Sequence, residues 1–245
     1  MRIKLILEKE NLSLPLSYKN IIQSVIYNML PKETIGKFYH NQGFRDKEKV
    51  FKLFVFSDLF GKYQIKNQKI IFEKNIILYI SAIDEEFLKC IYQFLTNNDY
   101  IFICKQQVNI KEIVTLQLTP FSGEKEVVIE TLSPVTAYIN KDNYFTYYKP
   151  SDKEFIQLIK NNIVHKISAY KYPIKNVVIE IEEVLYEKKI MSKFKNTFYE
   201  SYRTKLKIKT NFETLNLIYN TGLSNKGSCG FGMINIKDEK NNLFI

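Results

Sequence analysis

Cysteine, histidine and glycine are all scarce in this 245-residue chain, and each shortage narrows what the chain does. The three cysteines, Cys90, Cys104 and Cys229, are odd in number and show no C-x-x-C spacing, which argues against a disulfide framework and against a structural zinc site. With only two histidines, His40 and His165, there are few groups for proton transfer near neutral pH. No stretch approaches the roughly 20 apolar residues that span a bilayer. The opening Met1 to Lys9 alternates charged and apolar side chains like a strand and lacks the apolar core and small-residue cleavage site of a signal peptide. The expectation is a globular, cytoplasmic protein with reduced thiols and no membrane partner.

Acidic residues are outnumbered, 26 against 36 Lys and Arg, for a formal net charge of +10. Such an excess favours a polyanionic partner, nucleic acid first, although lysine-rich composition also arises without one. The length suits two domains of about 120 residues each. Residues 2–8 alternate as a strand, and Ile21, Ile22, Val25, Ile26 and Met29 then mark one face of a helix over 17–30. A polar segment follows, then β-rich runs over 50–57 and 63–82, a helix from Asp84 to about Thr96, and a β-rich run over 100–118. The turn cluster Thr119-Pro120-Phe121-Ser122-Gly123 marks the expected boundary. Beyond it come a strand at 125–132, a helix over 151–170, strands at 177–190 and 198–210, a short helix at 211–220 and a last strand at 231–236. Each half thus reads βαββαβ, and the predicted class is α+β with two tandem ferredoxin-like, RRM-like domains, residues 1–120 and 121–245. A sheet face left open by such a fold is a platform for RNA in RNA-recognition modules.

Half of the eight glycines fall within residues 222–232, as Gly222, Gly227, Gly230 and Gly232, with Lys226 among them. Glycine permits positive φ and lets backbone N–H groups approach phosphate oxygens, so the segment reads either as a phosphate-binding loop or as a tight connection into the last strand. It follows a helix and precedes a strand, the reverse of a Walker or Rossmann loop. Upstream, Lys205, Lys207 and Lys209 alternate with Leu206 and Ile208, placing three lysines on one strand face, either simply solvated or along an RNA path. His40 lies between Phe38-Tyr39 and a basic loop containing Gly43, where an imidazole could reach a phosphate or sit as an ordinary surface side chain. His165, flanked by Val164 and Lys166 in a helix, reads as structural.

A glycine-rich loop ending Gly230-Phe-Gly-Met before a final strand resembles the signature of the CRISPR-associated repeat endoribonucleases, the Cas six family. Ile21 to Leu30 resembles the family's first helix, His40-Asn-Gln-Gly-Phe its histidine segment, Lys52-Leu-Phe-Val-Phe-Ser the next strand, and Thr131-Leu-Ser-Pro-Val the opening of its second half. One departure is local: the first Gly-x-Gly element of the loop reads Gly222-Leu-Ser224. The resemblance implies a metal-independent endoribonuclease without cofactors that cuts CRISPR repeat RNA through the ribose 2′-hydroxyl. It implies a catalytic set of His40 with Tyr27 on the first helix and Lys52 at the next strand, Lys47, Lys49 and Arg45 being rival cations. RNA would be held by the glycine loop with Lys226 and by Lys205, Lys207 and Lys209. The partners implied are repeat RNA and other CRISPR interference subunits, with the chain a monomer or homodimer. The alternative is a non-catalytic RNA-binding subunit of a CRISPR ribonucleoprotein.

Overall fold

The computed structural model describes residues 1–142 and 144–237. The first half runs β1 (Arg2–Glu8), β2 (Leu12–Pro15), α1 (Lys19–Asn28), β3 (Phe44–Asp46), β4 (Lys49–Phe51), β5 (Phe54–Phe56), β6 (Tyr63–Lys66), β7 (Lys69–Phe72), β8 (Asn75–Ala82), α2 (Glu85–Thr96), β9 (Tyr100–Ile103) and β10 (Gln106–Leu116). Its main sheet has the order β5-β8-β1-β10-β9, all antiparallel. Without the edge hairpin strand β9, this is the βαββαβ order of a ferredoxin-like domain. Ile3, Leu5 and Leu7 of β1 face a core shared with Ile22 and Ile26 of α1 and with Phe87, Ile91 and Leu95 of α2. Asp84 caps α2, its carboxylate accepting from the Glu86 N–H at 3.1 Å.

The second half repeats the plan with β11 (Glu124–Thr131), β12 (Tyr138–Lys141), β13 (Tyr144–Tyr147), α3 (Lys153–Tyr170), β14 (Ile179–Phe194), β15 (Thr197–Asn211), α4 (Phe212–Thr221) and β16 (Ile234–Lys237). The sheet order β14-β15-β11-β16 is the same arrangement. Asn211, reached at the end of β15, caps α4 by accepting from the Thr214 N–H at 3.0 Å. The chain is therefore α+β with tandem ferredoxin-like folds, and no described helix is long and apolar enough to cross a membrane.

Several elements lie outside the periodic reading. The polar segment after α1 forms two π-helical turns, Lys32–Gly36 and Phe38–Gln42, and then the β3–β4 hairpin. The run over 63–82 is a hairpin, turning at Asn67 and Gln68 with positive φ, followed by β8. A further hairpin, β12–β13, intervenes before α3.

The two halves are clasped along a buried seam, which changes the expectation of an open sheet face in the first half. Arg2 of β1 is fully buried, donates to the Tyr219 carbonyl at 2.7 Å and lies over the Tyr219 ring. Ser81 of β8 donates to Asn220 at 2.7 Å, and Val55 and Tyr79 pack with Leu132 and Met233. The face opposite α1 and α2 is thus largely covered by α4 and the segment leading into β16.

Candidate active site

The second π-helical turn presents His40. Tyr39, fully buried, donates its hydroxyl to Asp84 at 2.8 Å and packs on Phe87, so the residue that caps α2 also pins this turn. The next side chain points outward, and His40 is exposed. Gly43 ends the turn at φ +74°, where a Cβ would come within 2.6 Å of the Phe51 carbonyl, so the chain reverses into β3 only with glycine there. π-helical turns recur at functional sites because they displace a side chain from regular helical register.

Three expected residues meet here. The Tyr27 ring of α1 lies edge-on to the His40 ring with centroids 5.6 Å apart, and its other neighbour is Phe54. Lys52, between β4 and β5, donates to the His40 carbonyl at 3.2 Å. His40 Nδ1 is 2.7 Å from Asn41 Oδ1, so an Nδ1–H donated to Asn41 leaves Nε2 free for a substrate. Burial, with the Cys229 thiol nearby, pushes the Tyr27 hydroxyl well above the ordinary phenol value. Burial and then the Arg45 guanidinium lower the Lys52 ammonium. Of the rival cations, Lys49 is engaged elsewhere, with Nζ 2.7 Å from His165 Nε2. His165 in turn holds Asp46 at 2.5 Å through Nδ1, tying α3 to the β3–β4 hairpin.

The glycine-rich loop lies against this site. Gln23 of α1 donates to the Ser228 carbonyl at 2.6 Å, Lys19 to the Gly230 carbonyl at 2.7 Å. All four glycines of the loop are buried. A Cβ on Gly230 would stand 2.5 Å from the Phe56 ring, and one on Gly227 would stand 2.5 Å from the Thr221 carbonyl. Gly222, Gly230 and Gly232 have φ between +76° and +79°. The glycines therefore answer to close packing against β5 and to left-handed backbone, while the loop's crest is exposed Asn225 with half-buried Lys226, Ser228 and Cys229. Lys226 stands over the Tyr199 ring at 5.8 Å.

Lys205, Lys207 and Lys209 do share one face of β15, but acidic neighbours interleave with them. Lys207 pairs with Glu126 at 2.6 Å, Lys209 with Glu124 at 2.9 Å, and Lys205 sits opposite Glu130 in the ladder.

Other polar groups were not anticipated. Buried Asp58 pairs with Lys19 of α1 and, at 2.5 Å, with Arg203 of β15, joining the halves beside the loop. Lys166, wholly buried in α3, donates to the carbonyls of Thr221, Gly222 and Ser224 at 3.3, 2.6 and 3.2 Å, and burial pushes its pKa down to about 7. Both lysines occupy apolar-face positions of their helices, Lys19 with Ile22 and Ile26, Lys166 with Phe155, Ile159 and Ile163. A lysine in register with an apolar stripe was the available signal. Among the described residues, no group of three or more His, Cys, Asp or Glu is placed to hold a metal ion.

Residues 116–236 match the family described as CRISPR associated protein Cas6, C-terminal. A protein of Methanocaldococcus jannaschii named CRISPR-associated endoribonuclease Cas6 1 is 26% identical over 98% of this chain and 94% of its own length. A second from that organism, CRISPR-associated endoribonuclease Cas6 2, is 29% identical over 69% of this chain and 66% of its own. A solved structure described as a Cas6-related gene from Pyrococcus furiosus superposes with a TM-score of 0.78 at 20% identity, covering 98% of this chain and 99% of that one. Another, described as a RAMP protein binding different RNA substrates, gives a TM-score of 0.77 at 21% identity, covering 97% and 100%. Residues 116–236 thus form a Cas6 C-terminal domain, and similarity to the Cas6 endoribonucleases of CRISPR systems runs over 98% of the chain.

Proposed function

We propose that this protein is an endoribonuclease that processes CRISPR precursor RNA by cutting within the repeat. The observation that carries the reading is the convergence of Tyr27, His40 and Lys52, from a helix, a π-helical turn and the link between β4 and β5, at one exposed spot bordered by the glycine loop. The reaction is attack of a ribose 2′-hydroxyl on the adjacent phosphate, leaving a 2′,3′-cyclic phosphate and a 5′-hydroxyl, with no metal ion taking part. The bond from the 2′ oxygen to phosphorus forms as the bond to the 5′ oxygen breaks. One proton leaves the 2′-hydroxyl and one reaches the 5′ oxygen. His40, with Nε2 open to the substrate, transfers one of these protons and water at the exposed site the other; Tyr27, kept protonated by burial, donates a hydrogen bond. Lys52, fixed on the His40 carbonyl, supplies positive charge beside the phosphate. In the second half, Lys226 at the loop crest is the main proposed RNA contact, the lysines of β15 are secondary to it because two of them are paired with glutamates, and the buried glycines set the shape of the crest.

The test is cleavage of a cognate repeat RNA in excess EDTA, beside the same RNA with 2′-deoxyribose at the scissile nucleotide. Cleavage of the first and none of the second is expected. Activity that dies with EDTA and returns with magnesium would overturn the mechanism, and repeat binding without cleavage would point to a non-catalytic RNA-binding subunit.

A further inference from the structure

At the turn of the β3–β4 hairpin, where Asp46 pairs with Lys49, the two halves enclose a pocket of about 190 Å³. Its floor is apolar, from Leu158 and Ile159 of α3. The amides of Asn161, Asn162 and Asn225 line it together with His165 and Tyr138, and Lys49 stands over it; none of its lining residues is acidic. Asn162 Oδ1 is buried and has no hydrogen-bond partner among the described residues, an unusual condition for an amide oxygen. Asn161 accepts from Gln157 at 3.1 Å, which leaves its NH2 to donate. His165 is held rigidly, with Nδ1 on Asp46 at 2.5 Å and Nε2 on Lys49 at 2.7 Å, and Asp46 is held in turn by Ser168 at 2.8 Å.

A small concave space with an apolar floor, an unmet amide acceptor, further amides and a cation at the rim matches one kind of ligand closely. An unstacked nucleobase presents a planar apolar body, an edge of donors and acceptors that side-chain amides pair with, and a phosphate on the same nucleotide. The volume is on the scale of a single base. The pocket is also close to the proposed chemistry. Lys49 and Lys52 are separated by roughly 10 Å of extended chain, and Asn225 belongs to the loop that brings Cys229 to Tyr27.

We infer that this pocket receives one extruded base of the RNA, within a few nucleotides of the bond that is cut, and reads its edge with the amides of Asn225 and of Asn162, whose side chain turns to present its unmatched oxygen. The inference rests on the ribonuclease reading above and adds to it a determinant of sequence preference within the repeat. The experiment measures affinity by fluorescence anisotropy for wild type, Asn162→Leu and Asn225→Ala. The probes are repeat RNAs of the host array carrying one abasic ribose at successive positions around the cut. One abasic position should weaken wild-type binding about tenfold, the equivalent of ~1.4 kcal/mol. Each variant should show a similar loss on intact RNA and no further loss at that same position. Asn225, exposed and on a separate segment, guards against a packing defect at Asn162, since both variants must lose sensitivity to the same nucleotide. Variants that bind intact RNA as wild type does, or losses that multiply at every position, would overturn the pocket alone. A wild-type protein with no affinity for repeat RNA would overturn the ribonuclease reading and the pocket together.

Discussion

The two segments that carry the chemical signals are built in opposite ways. The turn at Phe38–Gln42 buries Tyr39 so that its neighbour His40 stands in solvent, with few contacts of its own. The loop at 222–232 buries its glycines against β5 and exposes only a crest around Asn225 and Lys226. In the first segment the notable residue is the exposed one, and the proposed chemistry falls to it while its neighbours are scaffold. In the second the notable residues are scaffold, and the proposed RNA contacts fall to side chains between them. Scarcity and clustering in a sequence locate a site; burial and contacts assign the parts.

The largest effect that would sharpen this contrast is expected at His40. His40→Ala should lower cleavage of repeat RNA by at least about a hundredfold while leaving affinity nearly unchanged, because it removes a proton-transfer group from a turn that Tyr39 and Asp84 still hold. Tyr27→Phe should cost less than His40→Ala, since the ring packed on Phe54 stays and only the hydroxyl goes. Single-turnover rates beside binding isotherms make the measurement. Full cleavage by His40→Ala would remove the turn from the chemistry.

Gly230→Val should act in the reverse manner. A Cβ at φ +79° and 2.5 Å from the Phe56 ring forces either the strand β5 or the loop to move, with overpacking of this kind costing about 1–3 kcal/mol before backbone strain is added. Thermal unfolding should show the loss first, and RNA affinity should fall because the crest shifts. A variant as stable as wild type with weakened RNA binding would instead mean that the Gly230 backbone touches phosphate directly.

The extent to which these features were legible follows from how local their causes are. The βαββαβ order of each half was readable because alternation and helical spacing express burial within one element, and the caps Asp84 and Asn211 act on adjacent N–H groups. The grouping of His40, Tyr27 and Lys52 was expected only through family resemblance, and their spacing alone would not have joined them. The short hairpins β3–β4 and β12–β13 were not, because strands of three or four residues are too brief to show a period. The seam was invisible for a different reason. Arg2 with Tyr219, Asp58 with Arg203 and His165 with Asp46 are pairs more than 100 residues apart in sequence, and no local pattern encodes them.

Lys166 tests whether the loop is held from beneath. Its folded pKa of about 7 lies far below the ordinary lysine value, so between pH 7 and roughly 10 the unfolded chain binds a proton that the folded chain has released. Stability should therefore rise with pH across that window. Lys166→Met, similar in length and never charged, should remove this increment, and it should also loosen the loop by leaving the carbonyls of Thr221, Gly222 and Ser224 without their donor. Melting temperatures of both proteins from pH 6.5 to 9.5 decide it; parallel curves would show that Lys166 keeps its proton, stabilised by three carbonyls.

The smallest effect is expected on the basic face of β15, where charge counts mislead most easily. Each phosphate neutralised by a protein cation contributes about 0.9 to the slope of log affinity against log salt, provided the cation is free to release counterions on binding. Lys207 and Lys209 are already matched by Glu126 and Glu124, and Lys205 lies opposite Glu130, which it shares with Lys237, so this face carries much less net field than its three lysines suggest. Lys226 is surrounded instead by the Tyr199 ring and the loop crest beside the site. Lys226→Ala should thus lower the salt slope by nearly one unit, and the triple change Lys205→Ala, Lys207→Ala, Lys209→Ala should lower it by less, even though it removes more charge. Affinities measured from 50 to 300 mM salt give both slopes. A triple variant that loses two or more units would show that RNA displaces the glutamates and follows β15 after all, and would make the sheet of the second half, rather than the crest of its loop, the main path of the RNA.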